Sequence, residues 1–108
     1  MFCFKKDCKF ETVAPGVQRA VLAHEGSMMC VENHFEAGSE GAMHSHPHEQ
    51  VTYVLSGKFE FTVGGEFHIV SAGDTLHKNA NVVHGCKCLE KGILIDVFVP
   101  QREDFLRQ

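Results

Sequence analysis

Three histidines crowd into five positions, at His44, His46 and His48, and Gln50 follows two residues later. Imidazole nitrogens and amide oxygens are ligands that first-row divalent metals accept in proteins. If His44 and His46 lie in one strand, both side chains point to the same face, because side chains alternate along a strand. Gln50 has the same parity. The spacing therefore predicts a metal site to which His44, His46 and Gln50 contribute.

A fourth candidate ligand, His84, lies in the second half of the chain, where it opens another predicted strand. A closed barrel would bring it opposite His44 and His46. Spacing alone leaves two other interpretations open. A buried histidine is commonly a hydrogen-bonded core residue, and a histidine-rich loop can bind metal adventitiously while exposed.

Asp96 interrupts the apolar run Ile93–Val99. A buried carboxylate is costly unless it is paired or used, so Asp96 is a candidate general acid–base group. It could instead face solvent on an edge strand or pair with an arginine for structure. Phe98 has the same parity and can form an apolar pocket wall. Arg102 can bind a carboxylate through two parallel hydrogen bonds, or it can be a solvated charge in the C-terminal turn.

The elements that must position these side chains are predicted to be short strands separated by frequent turns. Many short strands with regular turns are typical of an antiparallel sandwich or barrel. Only Gln101–Gln108 has helical character, over about two turns at most. We therefore predict an all-β fold with a short C-terminal helical turn. The predicted strands include Met28–Phe35, Gln50–Leu55, Lys58–Val63, Glu66–Val70, Thr75–His77, Gly85–Leu89 and Ile93–Val99.

Length and charge limit the classes of function. A chain of 108 residues is enough for one domain. A formal charge of −4 gives no general electrostatic reason to bind nucleic acid or an anionic membrane. No apolar run approaches the ~20 residues that a membrane span requires. The N-terminal order of apolar residues and lysines does not fit a cleavable signal peptide, so we expect a cytoplasmic protein with five reduced cysteines.

Two motifs resemble those of the cupin superfamily. The pattern G-x5-H-S-H-x3-Q-x6-G, over 38–57, is similar to the first cupin motif, with Gln50 where most members have Glu. The pattern G-x5-N-x-N-x2-H, over 73–84, is similar to the second, with Asn79 and Asn81 in place of the usual Pro and Gly. The resemblance implies a double-stranded β-helix, or jelly-roll barrel. One cupin domain would span residues 1–108, with a metal-binding core at about 28–100 and the ligands His44, His46, Gln50 and His84.

The segments 44–57 and 96–106 further resemble the small pectin-degradation cupins, in which the fourth ligand is also Gln. Those proteins convert 4,5-unsaturated uronate monomers, released by pectate or alginate lyases, into open-chain keto sugar acids. The resemblance extends from about Val17 to Leu106. It implies a metal-dependent enzyme of isomerase or hydratase type that acts on a small sugar acid and forms a homodimer, with catalytic roles for Asp96, Phe98 and Arg102.

Other functions fit the same ligand set. The chain could be a non-catalytic sugar-binding module, or a cupin dioxygenase or sugar isomerase. Iron oxygenases commonly use two histidines and one carboxylate, whereas the neutral Gln50 favours Lewis-acid chemistry. Three histidines and one glutamine accept nickel, zinc, manganese, iron or cobalt, so the metal stays open. Cys86 and Cys88 share the parity of His84, and either one can be a buried thiol or contact the metal or substrate.

Overall fold

A computed structural model describes residues 1–107 of the chain. Gln108, the last residue of the predicted helical stretch and of the predicted domain, lies outside the described residues. The predicted C-terminal helical turn is confirmed as the four-residue helix α1, and a 3₁₀ turn covers Lys5–Asp7. Within residues 1–107, no helix has the length and apolar character needed to cross a membrane. The elements are β1 Glu11–Ala14, β2 Val17–Glu25, β3 Met28–Phe35, β4 Glu40–His44, β5 Glu49–Val63, β6 Glu66–Ser71, β7 Thr75–Lys78, β8 His84–Val99 and α1 Glu103–Leu106.

All described strand pairs are antiparallel, and the long strands β5 and β8 hold the fold together. They pair along nearly their whole length, from Glu49 with Val99 to Val63 with His84. The first half of β5 also pairs with β7, and its second half pairs with β6. The first half of β8 pairs with β4, and its second half pairs with β3, which leads to β2 and β1. The predicted all-β architecture is confirmed.

The interior follows from the alternation of side chains along the strands. In the first half of β5, Gln50, Thr52 and Val54 are buried, while Val51 and Tyr53 are exposed. One apolar cluster contains Val17, Phe35, Val54, Phe59, Phe61, Cys88 and Leu94, and a second contains Met29, Val31 and Phe98. The described interior also holds a set of buried polar or charged residues: His46, Gln50, Thr52, Lys78, His84 and Asp96. Burial of such groups is unfavourable unless they have partners, so this set marks a candidate functional region.

Some predicted strand boundaries are wrong. The two runs Gln50–Leu55 and Lys58–Val63 form the single strand β5, and the two runs in 85–99 form the single strand β8. The intervening turn residues do not end either strand. They lie near the irregularities in the β5–β8 register, between Val54 and Phe59, where the paired strands continue through a bulge. Strands β1, β2 and β4 were not among those predicted.

We predict that Gly57→Ala destabilises the fold at this bulge. Gly57 has φ +85°, and a Cβ there would lie 2.6 Å from the Glu90 carbonyl oxygen and 2.6 Å from Gly92 Cα. Left-handed backbone costs an L-residue about 1–2 kcal/mol, and overpacking adds about 1–3 kcal/mol. Gly65→Ala is the matched control, because Gly65 has φ +84° and no atom within 4 Å of the corresponding Cβ. Urea unfolding should show a clearly larger loss of stability for Gly57→Ala, and equal losses would contradict the clash.

Candidate metal centre

Three imidazoles come together from β4, the β4–β5 loop and the start of β8. One ligand nitrogen from each of His44, His46 and His84 lies within 4.8 Å of the others, so the three rings could hold a metal ion. The ring centroids of His44 and His84 are 4.5 Å apart, and those of His46 and His84 are 4.9 Å apart. The structure thus brings together the three histidines that the sequence analysis singled out as ligands.

The predicted route to this cluster is wrong, because His44 and His46 do not share a strand. His44 is the last residue of β4 and pairs directly with His84, the first residue of β8. His46 lies in the loop between β4 and β5, where its carbonyl oxygen accepts a hydrogen bond from the Asn81 N–H at 2.7 Å. The rings are therefore brought together by strand pairing and a loop contact, and not by the alternation of side chains along one strand.

Backbone carbonyls orient two of the rings. His44 Nδ1–H donates to the Ala42 carbonyl oxygen at 2.6 Å, and His84 Nδ1–H donates to the Val82 carbonyl oxygen at 3.0 Å. In a neutral ring this leaves Nε2 with a free lone pair, which is the arrangement found in metal-binding histidines. Nδ1 of His46 is buried and has no hydrogen-bond partner among residues 1–107. These features fit a ligand set for a cation.

Burial keeps two of the rings in the form that binds metal. Burial, followed by the positive charge of Lys78, lowers the pKa of His84 to about 4. Burial, followed by the positive charge of Arg102, also lowers the pKa of His46. Both imidazoles are therefore neutral near pH 7, and a neutral imidazole is the form that binds a metal.

The Gln50 side chain presents its oxygen to the imidazoles. Gln50 Oε1 lies 3.1 Å from His46 Nε2, and Gln50 Nε2 donates to Asp96 Oδ1 at 2.8 Å. The amide is therefore held with its acceptor atom toward the histidines and its donor atom toward the carboxylate. Three imidazoles and this oxygen form a neutral donor set suited to a divalent transition metal.

Asp96 is buried and hydrogen-bonded, with 6% of its surface exposed. It accepts hydrogen bonds from the Thr52 hydroxyl at 2.5 Å, the Gln50 amide at 2.8 Å and Asn33 Nδ2 at 2.7 Å. Two alternative roles for Asp96 are therefore wrong. The residue does not face solvent, because it is buried. It does not pair with an arginine, because none of the residues bound to it in the described chain is one. A carboxylate ordered in this way faces the cavity that His44 and His84 line.

That cavity has a volume of about 220 Å³ and is bounded on one side by α1. Phe98 forms part of its wall, as predicted from parity. The Arg102 guanidinium lies 5.2 Å from the centre of the Phe98 ring and donates two parallel hydrogen bonds to Asp104, at 3.0 and 2.9 Å. These bonds hold the pKa of Asp104 below its ordinary value. Only 13% of the Arg102 side chain is exposed, so it is a residue of the cavity wall rather than a solvated charge.

Lys78, Thr52 and Asn33 belong to the same region, although the sequence analysis did not identify them. Lys78 is 3% exposed, and its ammonium donates to the Thr52 hydroxyl oxygen at 3.0 Å. The sequence does contain an indication that Lys78 is buried. Lys78 shares the parity of the apolar Leu76 along β7, which places the lysine on the inner face of the sheet.

The two cysteines near His84 differ in their surroundings. Cys86 lines the cavity, and burial raises the pKa of its thiol to about 11, so the thiol is protonated near pH 7. Cys88 lies in the apolar core, where its thiol donates to the Glu90 carbonyl oxygen at 3.0 Å. His48 packs beside the centre, with its ring 5.2 Å from that of His46.

Comparisons with known proteins agree with this architecture. The cupin domain family matches residues 31–98. The pectin degradation protein KdgF of Dickeya dadantii (strain 3937) is 38% identical over 99 residues, which cover 90% of each chain.

Two solved structures are similar over nearly the whole chain. An RmlC-like cupin from Shewanella frigidimarina NCIMB 400 has a TM-score of 0.93 and 39% identity, covering 96% of this chain and 94% of the other. KdgF from Halomonas sp. has a TM-score of 0.92 and 34% identity, covering 97% of both chains. The chain therefore belongs to the cupin family and is a homologue of the pectin degradation protein KdgF.

Proposed function

We propose that this protein is a metal-dependent enzyme that converts 4,5-unsaturated monouronates from pectin or alginate breakdown into linear keto sugar acids. Homology to KdgF supports a role in pectin degradation. The observation that carries the proposal is the composition of one cavity of about 220 Å³. Two of the candidate ligand histidines, the Asp96 carboxylate and the Arg102 guanidinium all line it, so a cation, a proton acceptor and an anion-binding group can contact one small ligand.

The candidate cofactor is one divalent transition metal, with nickel, zinc, manganese, iron and cobalt all compatible with the donor set. His44, His46, His84 and Gln50 would hold it, and the bound ion would supply Lewis-acid polarisation of a substrate oxygen. Because all four ligands are neutral, they leave the charge of a divalent ion uncompensated. This favours an anionic sugar acid as the ligand.

Asp96 is the candidate proton carrier. Ring opening removes a proton from the anomeric hydroxyl as the ring C–O bond breaks, and formation of the ketone at C5 adds a proton to C4. The Asp96 carboxylate accepts the first proton and returns it to C4, so the net change is an isomerisation. Its hydrogen bonds to Thr52, Gln50 and Asn33 hold it in place for both transfers.

Arg102 and Phe98 would orient the sugar. The guanidinium of Arg102 binds the carboxylate of Asp104 through two parallel hydrogen bonds, and a uronate carboxylate has the same geometry. We therefore expect the substrate carboxylate to take the place of the Asp104 carboxylate on the Arg102 guanidinium. The Phe98 ring, only 3% exposed, gives the sugar an apolar wall.

We predict that Asp96→Asn lowers kcat for the unsaturated uronate by about 10²–10⁴-fold, because an amide cannot accept the proton. The measurement is the loss of the ultraviolet absorbance of the conjugated double bond, with products identified by NMR. Metal content is determined for each variant, since Asp96 also binds Gln50. Asp7→Asn, a change at an exposed aspartate, is the matched control and should retain full activity.

Undiminished turnover by Asp96→Asn would remove Asp96 from the mechanism. Binding of the sugar acid by the native protein without turnover would favour the sugar-binding module. Oxygen consumption during turnover would favour a dioxygenase, a class whose common ligand set includes a carboxylate that this centre lacks.

We also propose that the protein acts as a homodimer that associates through the outer face of β5 and β8. Val51, Tyr53 and Leu55 point outward from β5 and are 43%, 43% and 49% exposed. Their neighbours on β8, Ile95 and Val97, are apolar and only partly buried. Clustered apolar side chains on an outer sheet face are typical of association surfaces.

We predict that Tyr53→Glu converts the dimer into a monomer, because it places a charge in the apolar contact. Light scattering coupled to size exclusion should give about twice the chain mass of 12.0 kDa for the native protein and the single-chain mass for the variant. Phe67→Glu, at a residue 55% exposed on β6, is the control and should stay dimeric. A native protein of single-chain mass would contradict the dimer.

A further inference from the structure

Lys78 is a buried lysine for which the proposed function gives no role; burial lowers its pKa, and the negative charge of Asp96 opposes this shift. The lysine is the last residue of β7, and 3% of its surface is exposed. An ammonium has three N–H donors and no acceptor. Among residues 1–107, its one hydrogen-bond acceptor is the Thr52 hydroxyl oxygen at 3.0 Å. The Phe61 ring lies 4.8 Å from Nζ and contributes a cation–π contact, but it accepts no conventional hydrogen bond.

The hydrogen bonds around Thr52 show which donors and acceptors near Lys78 already have partners. Because the ammonium form of Lys78 can only donate, the Thr52 oxygen accepts from it, and the single Thr52 hydroxyl hydrogen is directed at Asp96 Oδ1, 2.5 Å away. Asp96 is in turn committed to Thr52, Gln50 and Asn33. Residues 1–107 thus supply one acceptor to the three donors of the ammonium form of Lys78. Buried donors without acceptors are costly, so further oxygen atoms are expected at Nζ.

The remaining donors can be satisfied from the cavity, because Lys78 lines it together with Gln50, His84 and Asp96. Lys78 is the register partner of Gln50 across β5 and β7, which places it beside a candidate metal ligand. Arg102 lies on α1's side of the same cavity, where the uronate carboxylate is proposed to bind. A sugar acid held by Arg102 and the metal centre would present its ring and hydroxyl oxygens to the inner strands, where Lys78 is located.

We propose that Lys78 is a further catalytic residue, which donates hydrogen bonds to the sugar-acid oxygen that becomes negatively charged as the ring opens. The inference rests on the proposed function. When the ring C–O bond breaks, the bonding electron pair stays on the former ring oxygen, which becomes the enolate oxygen on C5. The Nζ–H groups of Lys78 stabilise this oxygen, and the charge is discharged when C4 takes the proton from Asp96.

The experiment compares Lys78→Met, which keeps the length of the side chain and removes every donor, with Lys87→Met at an exposed lysine of β8. Both variants and the native protein are loaded with Ni²⁺ and titrated with galacturonate, a saturated uronate, by calorimetry. Lys78→Met should bind galacturonate at least 10-fold more weakly and lower kcat for the unsaturated uronate by about 10²–10³-fold. Its metal stoichiometry and urea midpoint should match those of Lys87→Met.

Galacturonate affinity in Lys78→Met equal to that of the native protein would overturn the inference, as would the absence of galacturonate binding by the native protein. Weaker galacturonate binding by Lys78→Met together with no turnover by any form would support Lys78 as a ligand contact and refute the proposed reaction. If Lys78→Met does not fold, the same measurements are made on Lys78→Gln. The amide of that variant keeps N–H donors without the charge, so intermediate affinity supports the inference and native affinity overturns it.

Discussion

The hydrogen bond from Gln50 Nε2 to Asp96 Oδ1, 2.8 Å long, joins the two halves of the candidate site. It crosses the β5–β8 ladder on its inner face, so the strand pair that organises the fold also sets the orientation of a candidate ligand. Because an ionised carboxylate offers only acceptors, the amide must turn its nitrogen toward Asp96 and its oxygen toward His46. The candidate ligand Gln50 and the candidate proton carrier Asp96 therefore cannot be altered independently.

The members of the candidate site could be proposed from residue types, because few residues are suitable as metal ligands or proton carriers. Histidines at close spacing and a carboxylate within an apolar run are informative wherever the chain places them. The relative positions of these histidines in space could not be predicted from side-chain parity alone. His44 ends one strand and His46 lies in a loop, so a cluster inferred from side-chain alternation is formed by pairing with His84. The resemblance to cupins implied the barrel fold that brings His84 close to the other two rings.

Boundaries and polar partners were harder to predict for a physical reason. Glycine and serine near position 57 favour a turn in isolation, but the long β5–β8 ladder carries the chain through a bulge there. Lys78, Thr52 and Asn33 have no distinctive local motif, and their role follows from contacts between strands far apart in sequence. A charged residue with the parity of apolar neighbours is the signal that could have identified Lys78.

The central claim is that three imidazoles and the Gln50 oxygen surround one divalent ion. X-ray absorption spectroscopy of the zinc-loaded protein tests it most directly. We predict one ion per chain with only nitrogen and oxygen neighbours at about 2.0–2.2 Å and scattering from three imidazoles, one of which is lost in His84→Ala. A sulfur neighbour at about 2.3 Å, which would implicate Cys86, or an unchanged spectrum in His84→Ala, would contradict it.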